Sequence, residues 1–289
     1  MNVFSRSWEF TKLSFRVIKK DKELLLYPLL SSFFNLLFSA ALLVPTIVVK
    51  FLQATTPDYS ALMGTTEYLL VFITYLGLAF ISTFFNVCVV YTAKVRFEGG
   101  NATFGQSLGF AFRRIPTIFM WSLLSATVGL VLYLLDQFGQ SLGKAGQILI
   151  SILRGILGML WSIMTIFVVP AMVYYNLSPF KAIKKSNETL KKTWGESIIR
   201  HYGLGLIQGL IIFIGIIITA VLLFLFYQAG IEVILIIVGI FLVFFLIVSM
   251  VFEVANKVFN TALFVYADKG KAPMGISDSM MREAMKVKN

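Results

Sequence analysis

The run VILIIVGIFLVFFLIVSMVF at residues 233–252 decides the fold class, because its twenty residues include no charged side chain. A helix of about 20 residues crosses the roughly 30 Å of hydrocarbon in a bilayer. Comparable apolar runs recur along the chain, and charged residues make up only 13% of it, against roughly 25% in soluble domains. The sequence therefore predicts an all-α, polytopic membrane protein.

Six transmembrane helices are predicted from these runs, arranged as three hairpins. Their approximate bounds are 24–49, 68–92, 116–135, 155–174, 202–226 and 232–252. The sixth helix is expected to continue past the bilayer surface to residue 267. Residues 1–23 form a predicted cytoplasmic amphipathic helix, and residues 268–289 form a tail in which Ser277 is a candidate helix cap.

Lysine and arginine are distributed unevenly among the segments that flank the spans. The basic segments carry six, four and six of them, in the order 1–23, 93–115 and 175–201. The intervening segments carry none, one and none, in the order 53–67, 136–147 and 227–232. Because basic loops stay on the cytoplasmic side, both termini are predicted to be cytoplasmic, in a prokaryotic plasma membrane. The net charge of +11 is therefore assigned to the anionic inner leaflet and not to nucleic acid.

The three basic segments each contain a predicted amphipathic helix, at 4–20, 104–115 and 179–194. Aromatic and aliphatic residues occupy one face and Lys or Arg the other, as in helices that lie in the membrane interface. Trp8 and Trp194 are candidate interfacial anchors. The candidate lipid-headgroup contacts are the basic residues Arg16, Lys19, Lys20, Arg113, Arg114, Lys184, Lys185, Lys191 and Lys192.

The same order of elements occurs three times, which suggests internal repetition. Each unit is a basic amphipathic helix, a span out, a short outer loop and a span back. A serine recurs near the start of each helix, as Ser7, Ser107 and Ser186, and a basic pair follows each time. The alternative is that any six-span protein with basic inner loops has this appearance.

Polar residues follow the sixth apolar run at helical spacing. Glu253, Asn256, Lys257 and Asn260 fall on one face of a continuing helix, here called the polar stripe. Glu253 and Lys257 are spaced to form an ion pair. We interpret the stripe as the face of a helix that extends into the cytosol. The alternative is a polar inner vestibule in which Glu253 contacts an ion or substrate.

Three other features have simple structural interpretations. Arg154 is expected to reach the outer headgroups. Gly205 and Gly209 form a small-residue pattern that allows another helix to approach closely. Asn86, near the middle of the second span, is expected to make an interhelical hydrogen bond and not to form a transport site.

Several observations disfavour an enzyme. The sequence has no zinc-protease, nucleophile-elbow or phosphate-loop motif, and it has only one histidine and one cysteine. No acidic pair lies within a span, so a membrane-embedded lipid-modifying enzyme is the least favoured class. No metal or cofactor is expected.

Three stretches carry a resemblance to a known family. FSRSWEFTKLSFRVIKKDKELLLYPLLSSF, FGQSLGFAFRRIPTIFMWSLLSATVGL and SPFKAIKKSNETLKKTWGE begin at residues 4, 104 and 178. They resemble an uncharacterised prokaryotic family of six-span integral membrane proteins. In outline the chain is also similar to the membrane domain of some glycerophosphodiester phosphodiesterases. The resemblance implies six spans and a plasma-membrane location, and it implies no activity.

Two functional hypotheses remain. The first is a non-enzymatic membrane protein whose basic cytoplasmic collar engages anionic lipids or a partner protein. The second is a transporter or channel for a small or lipophilic solute, with the polar stripe as its inner vestibule. The sequence leaves the oligomeric state and the partner open.

Overall fold

The structure, a computed structural model, describes residues 3–53, 63–194, 203–274 and 276. Within these ranges the secondary structure is helical and no strand occurs. The α-helices are α1 (Val3–Lys20), α2 (Leu26–Gln53), α3 (Met63–Phe97), α4 (Phe104–Phe112), α5 (Ile115–Ser141), α6 (Gly143–Thr165), α7 (Val168–Tyr175), α8 (Pro179–Trp194), α9 (Gly203–Leu225) and α10 (Ile231–Lys269). A short 3₁₀ helix at Lys22–Leu25 separates α1 from α2.

Six stretches of helix in the described part of the chain are long and apolar enough to cross a membrane. They are Lys22–Pro45, Tyr68–Phe97, Ile115–Ser141, Gly143–Tyr175, Ile207–Leu225 and Ile231–Lys269. The all-α, six-span fold class predicted from the apolar runs is thus confirmed. The last helix extends to Lys269, about as far beyond its apolar core as the sequence predicts.

Three helices, α1, α4 and α8, come directly before the first, third and fifth spans. Only Arg113 and Arg114 separate α4 from α5, and Arg114 is the N-cap with Pro116 in the first turn. Amide protons in the first turn of a helix have no intrahelical acceptor. Proline, which has no amide proton, is therefore tolerated there. The connection from α8 to α9, at 195–202, and the predicted cap at Ser277 lie outside the described residues.

The fourth span differs from its prediction at its N-terminal end. It was predicted to begin near 155 after a loop, but α5 runs to Ser141 and α6 begins at Gly143, so Leu142 alone connects them. Arg154 has a partner that the sequence did not indicate, because its Nη1 lies 2.6 Å from Oδ2 of Asp136 on α5. The ion pair compensates both charges, so Asp136 and Arg154 lie within helices. The apolar runs alone predict shorter helices here.

The fourth span is also broken near its other end, where α6 stops at Thr165 and α7 starts at Val168. Pro170 explains the break, since it has no N–H for the carbonyl of Ile166 and its ring crowds that carbonyl. At the same place, the amide of Ile166 donates to the carbonyl of Ile163 at 3.3 Å. This bond spans three residues and not four, so the turn is tighter than an α-helical turn. The sequence predicts a single span over 155–174, without this break.

The chain divides into two compact units. The first contains Met1–Pro28, Thr92–Thr103 and Thr189–Asn289. In it α1 packs against both α9 and α10. Phe15 of α1 meets Phe252 of α10 edge to face, with ring centroids 5.8 Å apart. Phe252 and Ile207 form a buried cluster covered by Ile211, Val248 and Phe259.

The second unit contains Leu29–Tyr91 and Phe104–Glu188. In it α5 packs against α6, and Trp121 stacks on Trp161 at 5.9 Å between ring centroids. Helices α2 and α3 approach closely where the Phe38 ring lies over Gly77, since a Cβ on that glycine would lie 2.0 Å from the Phe38 ring. The glycine therefore permits this helix contact.

Candidate functional site

The clearest recurring surface feature is an exposed phenylalanine followed directly by an exposed base. Phe15, Phe112 and Phe180 are 37%, 58% and 67% exposed. The next residues, Arg16, Arg113 and Lys181, are also exposed. We call these the aromatic–basic pairs: one lies on α1, one at the C-terminal end of α4, where Arg113 is the first residue after the helix, and one on α8. An aromatic ring beside a cation matches the boundary between hydrocarbon and phosphate headgroups.

The remaining candidate headgroup contacts divide into two groups. Lys19, Lys20, Lys184 and Lys191 are exposed. Arg114 and Lys185 are half-buried and lie over aromatic rings, with 5.2 Å from Arg114 Cζ to the Phe110 centroid and 5.0 Å from Lys185 Nζ to the Tyr175 centroid. These two cations are thus oriented within the fold by cation–π contacts.

Three predicted residues cannot be placed as contacts. Trp8 lies in α1, and Lys192 and Trp194 lie in α8, but their side chains are outside the described part of the structure. Their roles as anchors or headgroup contacts stay predictions.

The polar stripe lies on the less buried face of α10. Glu253 and Lys257 form the expected ion pair, and Glu253 keeps 46% of its side chain exposed. Asn256 and Asn260 are half-buried. The neighbouring Val254, Ala255 and Val258 are fully buried on the opposite face. The four polar residues therefore share one face of the helix, as the spacing predicts.

Each helix that precedes a span also carries a fully buried serine: Ser14, Ser107 and Ser186. Ser14 was not predicted as a member of this set, because Ser7 was taken as the serine of the first helix. The signal was available, since Ser14 precedes Lys19-Lys20 by the same spacing that separates Ser186 from Lys191-Lys192.

Ser186 has a defined task at the break in the fourth span. Its Oγ donates to the carbonyl of Met164 at 2.8 Å and accepts from the amide of Phe167 at 3.3 Å. Phe167 is fully buried, so these backbone groups have no water to bond. A side chain from α8 thus satisfies polar groups that the helix break exposes.

A second buried polar cluster was not predicted and joins three parts of the first unit. Arg96, at the end of α3, donates from Nε to Oδ2 of Asp21 at 2.6 Å and from Nη2 to the other carboxylate oxygen. Nη2 also donates to Oδ1 of Asn101 at 2.7 Å. Asp21 is 5% exposed. The cluster ties the α1–α2 junction to the turn that follows α3.

Metal-binding geometry is not found in the described residues, where no group of three His, Cys, Asp or Glu side chains comes together. Cys88 is buried in α3, and its Sγ lies 3.6 Å from the carbonyl of Ser107. It packs α4 against α3, next to Tyr91, which stacks on Phe110 at 4.3 Å. The sole cysteine therefore has a packing role in this region.

The fold defines a class of protein: a multi-pass helical membrane protein with short helices before alternate spans. Comparison with protein families places it further. Residues 65–274 match the model of DUF6159, a family of unknown function, and the chain belongs to that family. No curated protein matches the chain. The similarity to the membrane domain of some glycerophosphodiester phosphodiesterases gains no support from these comparisons.

Proposed function

We propose that this protein is a non-enzymatic plasma-membrane protein that engages anionic lipid headgroups through its three basic helices. Both termini and helices α1, α4 and α8 then lie on the cytoplasmic side. The single observation that carries the proposal is the threefold recurrence of the aromatic–basic pairs, with both members exposed.

Phe15 and Phe112 also pack within the protein, on Phe252 and Phe84, and the exposed part of each ring lies beside a cation. A partner that offers both apolar and anionic groups fits this combination. A phospholipid surface does so, because acyl chains receive the ring and phosphates receive the base. Each Lys or Arg near an anionic leaflet contributes about 1 kcal/mol. Three bases on three helices therefore produce a marked preference for anionic over zwitterionic lipid.

The test uses the whole protein in nanodiscs of phosphatidylcholine and phosphatidylglycerol. We expect phosphatidylglycerol to be enriched around the wild type, as measured by native mass spectrometry of retained lipids, and salt to weaken the enrichment. The variant Arg16→Gln/Arg113→Gln/Lys181→Gln should lose the preference at least about tenfold. Since all three side chains are exposed, the fold should be kept.

The matched control is Lys144→Gln, which removes an exposed lysine from the predicted outer side. It should leave the lipid preference unchanged. Equal phosphatidylglycerol enrichment in the wild type and the triple variant would contradict the proposal.

A further inference from the structure

Helices α2 and α3 carry a set of polar side chains within the membrane-spanning part of the second unit, of which Ser31 is buried, Asn35 and Asn86 are half-buried and Ser82 is exposed. Nδ2 of Asn35 donates to Ser82 Oγ at 3.1 Å and to Ser31 Oγ at 3.4 Å. Asn86 lies one turn after Ser82 on α3. We call Ser31, Asn35, Ser82 and Asn86 the polar seam.

The register of the two helices brings these residues to neighbouring levels. The helices are antiparallel, Asn35 is level with Ser82, and Phe34 stacks on Phe85 with 6.0 Å between ring centroids. One turn from this level, Ser31 on α2 is therefore opposite Asn86 on α3. Asn35 bonds across this helix contact to Ser82, and Asn86 lies on α3 one turn from Ser82.

Both asparagines have an unfilled acceptor. Oδ1 of Asn35 and Oδ1 of Asn86 are buried and accept no hydrogen bond from the described residues. Asn35 is about 14 Å along the helix from Leu26, and Asn86 is about 9 Å from Thr92, at 1.5 Å per residue. The hydrocarbon itself offers no hydrogen-bond donor at such depth, so an amide acceptor without a partner is strongly unfavourable. Buried acceptors of this kind require a donor.

The charge of the surroundings decides which donor fits. Residues 24–49 and 68–93 contain no Asp, Glu, Lys or Arg. A cation at the seam would therefore have no counter-charge within either of these stretches, and a buried charge without one is highly unfavourable. An uncharged O–H group avoids this penalty, and each of the two oxygens needs one O–H proton.

We infer that the polar seam is a binding site for an uncharged hydroxyl donor, with Asn35 and Asn86 as its acceptors. The donor is water or the free hydroxyl of a neutral lipid. This site goes beyond headgroup engagement, because it lies within the membrane-spanning part of α2 and α3 and not at their ends.

The first experiment measures whether Asn86→Leu raises or lowers the melting temperature of the protein in phosphatidylcholine nanodiscs. If the oxygen of Asn86 is bonded to a ligand, Asn86→Leu lowers the melting temperature by about 2–4 °C, as expected for loss of a buried hydrogen bond. If the oxygen is empty, the same change raises it. Thr74→Val is the matched control on α3, because the Thr74 hydroxyl bonds to the carbonyl of Leu70 at 2.7 Å within its own helix.

The second experiment distinguishes the two donors and needs no stability comparison. In a Cys88→Ala background, a small thiol reagent should label Asn86→Cys about tenfold faster than the buried Val87→Cys if water occupies the seam, since the reagent needs a solvated thiolate. If a lipid hydroxyl occupies it, dioleoylglycerol should raise the melting temperature of the wild type, and the dioleoylglycerol acetate should not.

A higher melting temperature for Asn86→Leu overturns the inference. So does the combination of an unlabelled Asn86→Cys and no response of the wild type to dioleoylglycerol. Neither result bears on phosphatidylglycerol enrichment, so failure here leaves the proposed function standing and the reverse holds as well.

Discussion

At the scale of single residues, this protein stabilises polar groups in its apolar interior by pairing them with side chains from distant parts of the chain. Ser186 hydrogen-bonds to the backbone of Met164 and Phe167 at the helix break, and Asp21 forms an ion pair with Arg96. Because an unpaired polar group in hydrocarbon is unfavourable, removing one member of such a set should matter more than removing an exposed polar residue.

Ser186→Ala should lower the free energy of unfolding by about 2 kcal/mol, because it leaves the Met164 carbonyl and the Phe167 amide buried without their partner. Thermal unfolding in detergent measures this. Ser141→Ala is the control, since the exposed Ser141 hydroxyl bonds only to the Phe138 carbonyl, and its effect should stay within about 0.5 kcal/mol. Coincident melting curves for the two variants would disprove the capping role.

The two interhelical ion pairs should differ in their contributions to stability. Asp21→Asn should destabilise by about 3 kcal/mol, the lower end for a buried pair, because Arg96 is itself 24% exposed. Asp136→Asn should change stability by at most about 1 kcal/mol, since its partner Arg154 is 49% exposed. Urea or thermal unfolding of both variants tests the contrast, and the reverse order would refute it.

At the scale of helices, close contact depends on which glycine faces a neighbour. Gly77 lies under the Phe38 ring, whereas nothing lies within 4 Å of a Cβ built on Gly205 or Gly209 among the described residues. The prediction that the latter pair allows a close helix approach is therefore wrong within this part of the structure. A small-residue spacing in sequence shows that approach is sterically allowed, but it does not show which neighbour is present.

Gly77→Leu should destabilise the protein by about 1–3 kcal/mol or more, because the new side chain overlaps the Phe38 ring. Gly209→Leu, the matched control, should be neutral or slightly stabilising, since Gly has a low helix propensity. The combination Gly77→Leu/Phe38→Ala should recover part of the loss. A Gly77→Leu variant as stable as Gly209→Leu would show that this contact is not close.

The three short helices share a pattern of contacts that sequence could only suggest. Helix α4 packs on α3 through Phe112 and Phe84, α8 bonds to the α6–α7 break, and α1 packs on α10. Each thus contacts an even-numbered span. Helices α4 and α8 each contact the span that precedes them in the chain. Helix α1 has no span before it and contacts the last span. The pattern supports internal repetition.

At the scale of the whole molecule, topology is the property with the most consequences. The uneven distribution of lysine and arginine predicts that both termini face the cytoplasm. Glu188 in α8 and Lys144 in α6 are both exposed, and they lie on opposite predicted sides. They therefore provide a matched pair of reporter positions.

In a Cys88→Ala background, a membrane-impermeant maleimide added to intact cells should label Lys144→Cys and not Glu188→Cys. Permeabilised cells should show both labelled. The physical reason is that strongly basic segments resist translocation across the membrane. Labelling of Glu188→Cys from outside would reverse the orientation and remove the basis for headgroup binding on the cytoplasmic side.

The sequence alone determined the fold class, the number of spans and the extent of the sixth helix. It could do so because transfer into a bilayer depends on the composition of each local run, which is readable residue by residue. Arg16 and Arg113 were predicted as headgroup contacts because they lie on the basic faces of predicted amphipathic helices, whereas Lys181 was not predicted as one.

Only the tertiary structure decided which helices meet. It placed α1 with α9 and α10, brought Ser186 to the broken fourth span, and joined Asn35 to Ser82. The reason is that lipid is as apolar as the helix surfaces, so hydrophobicity does not select partners inside the membrane. Close fit and a few polar bonds select them, and both depend on residues far apart in the chain.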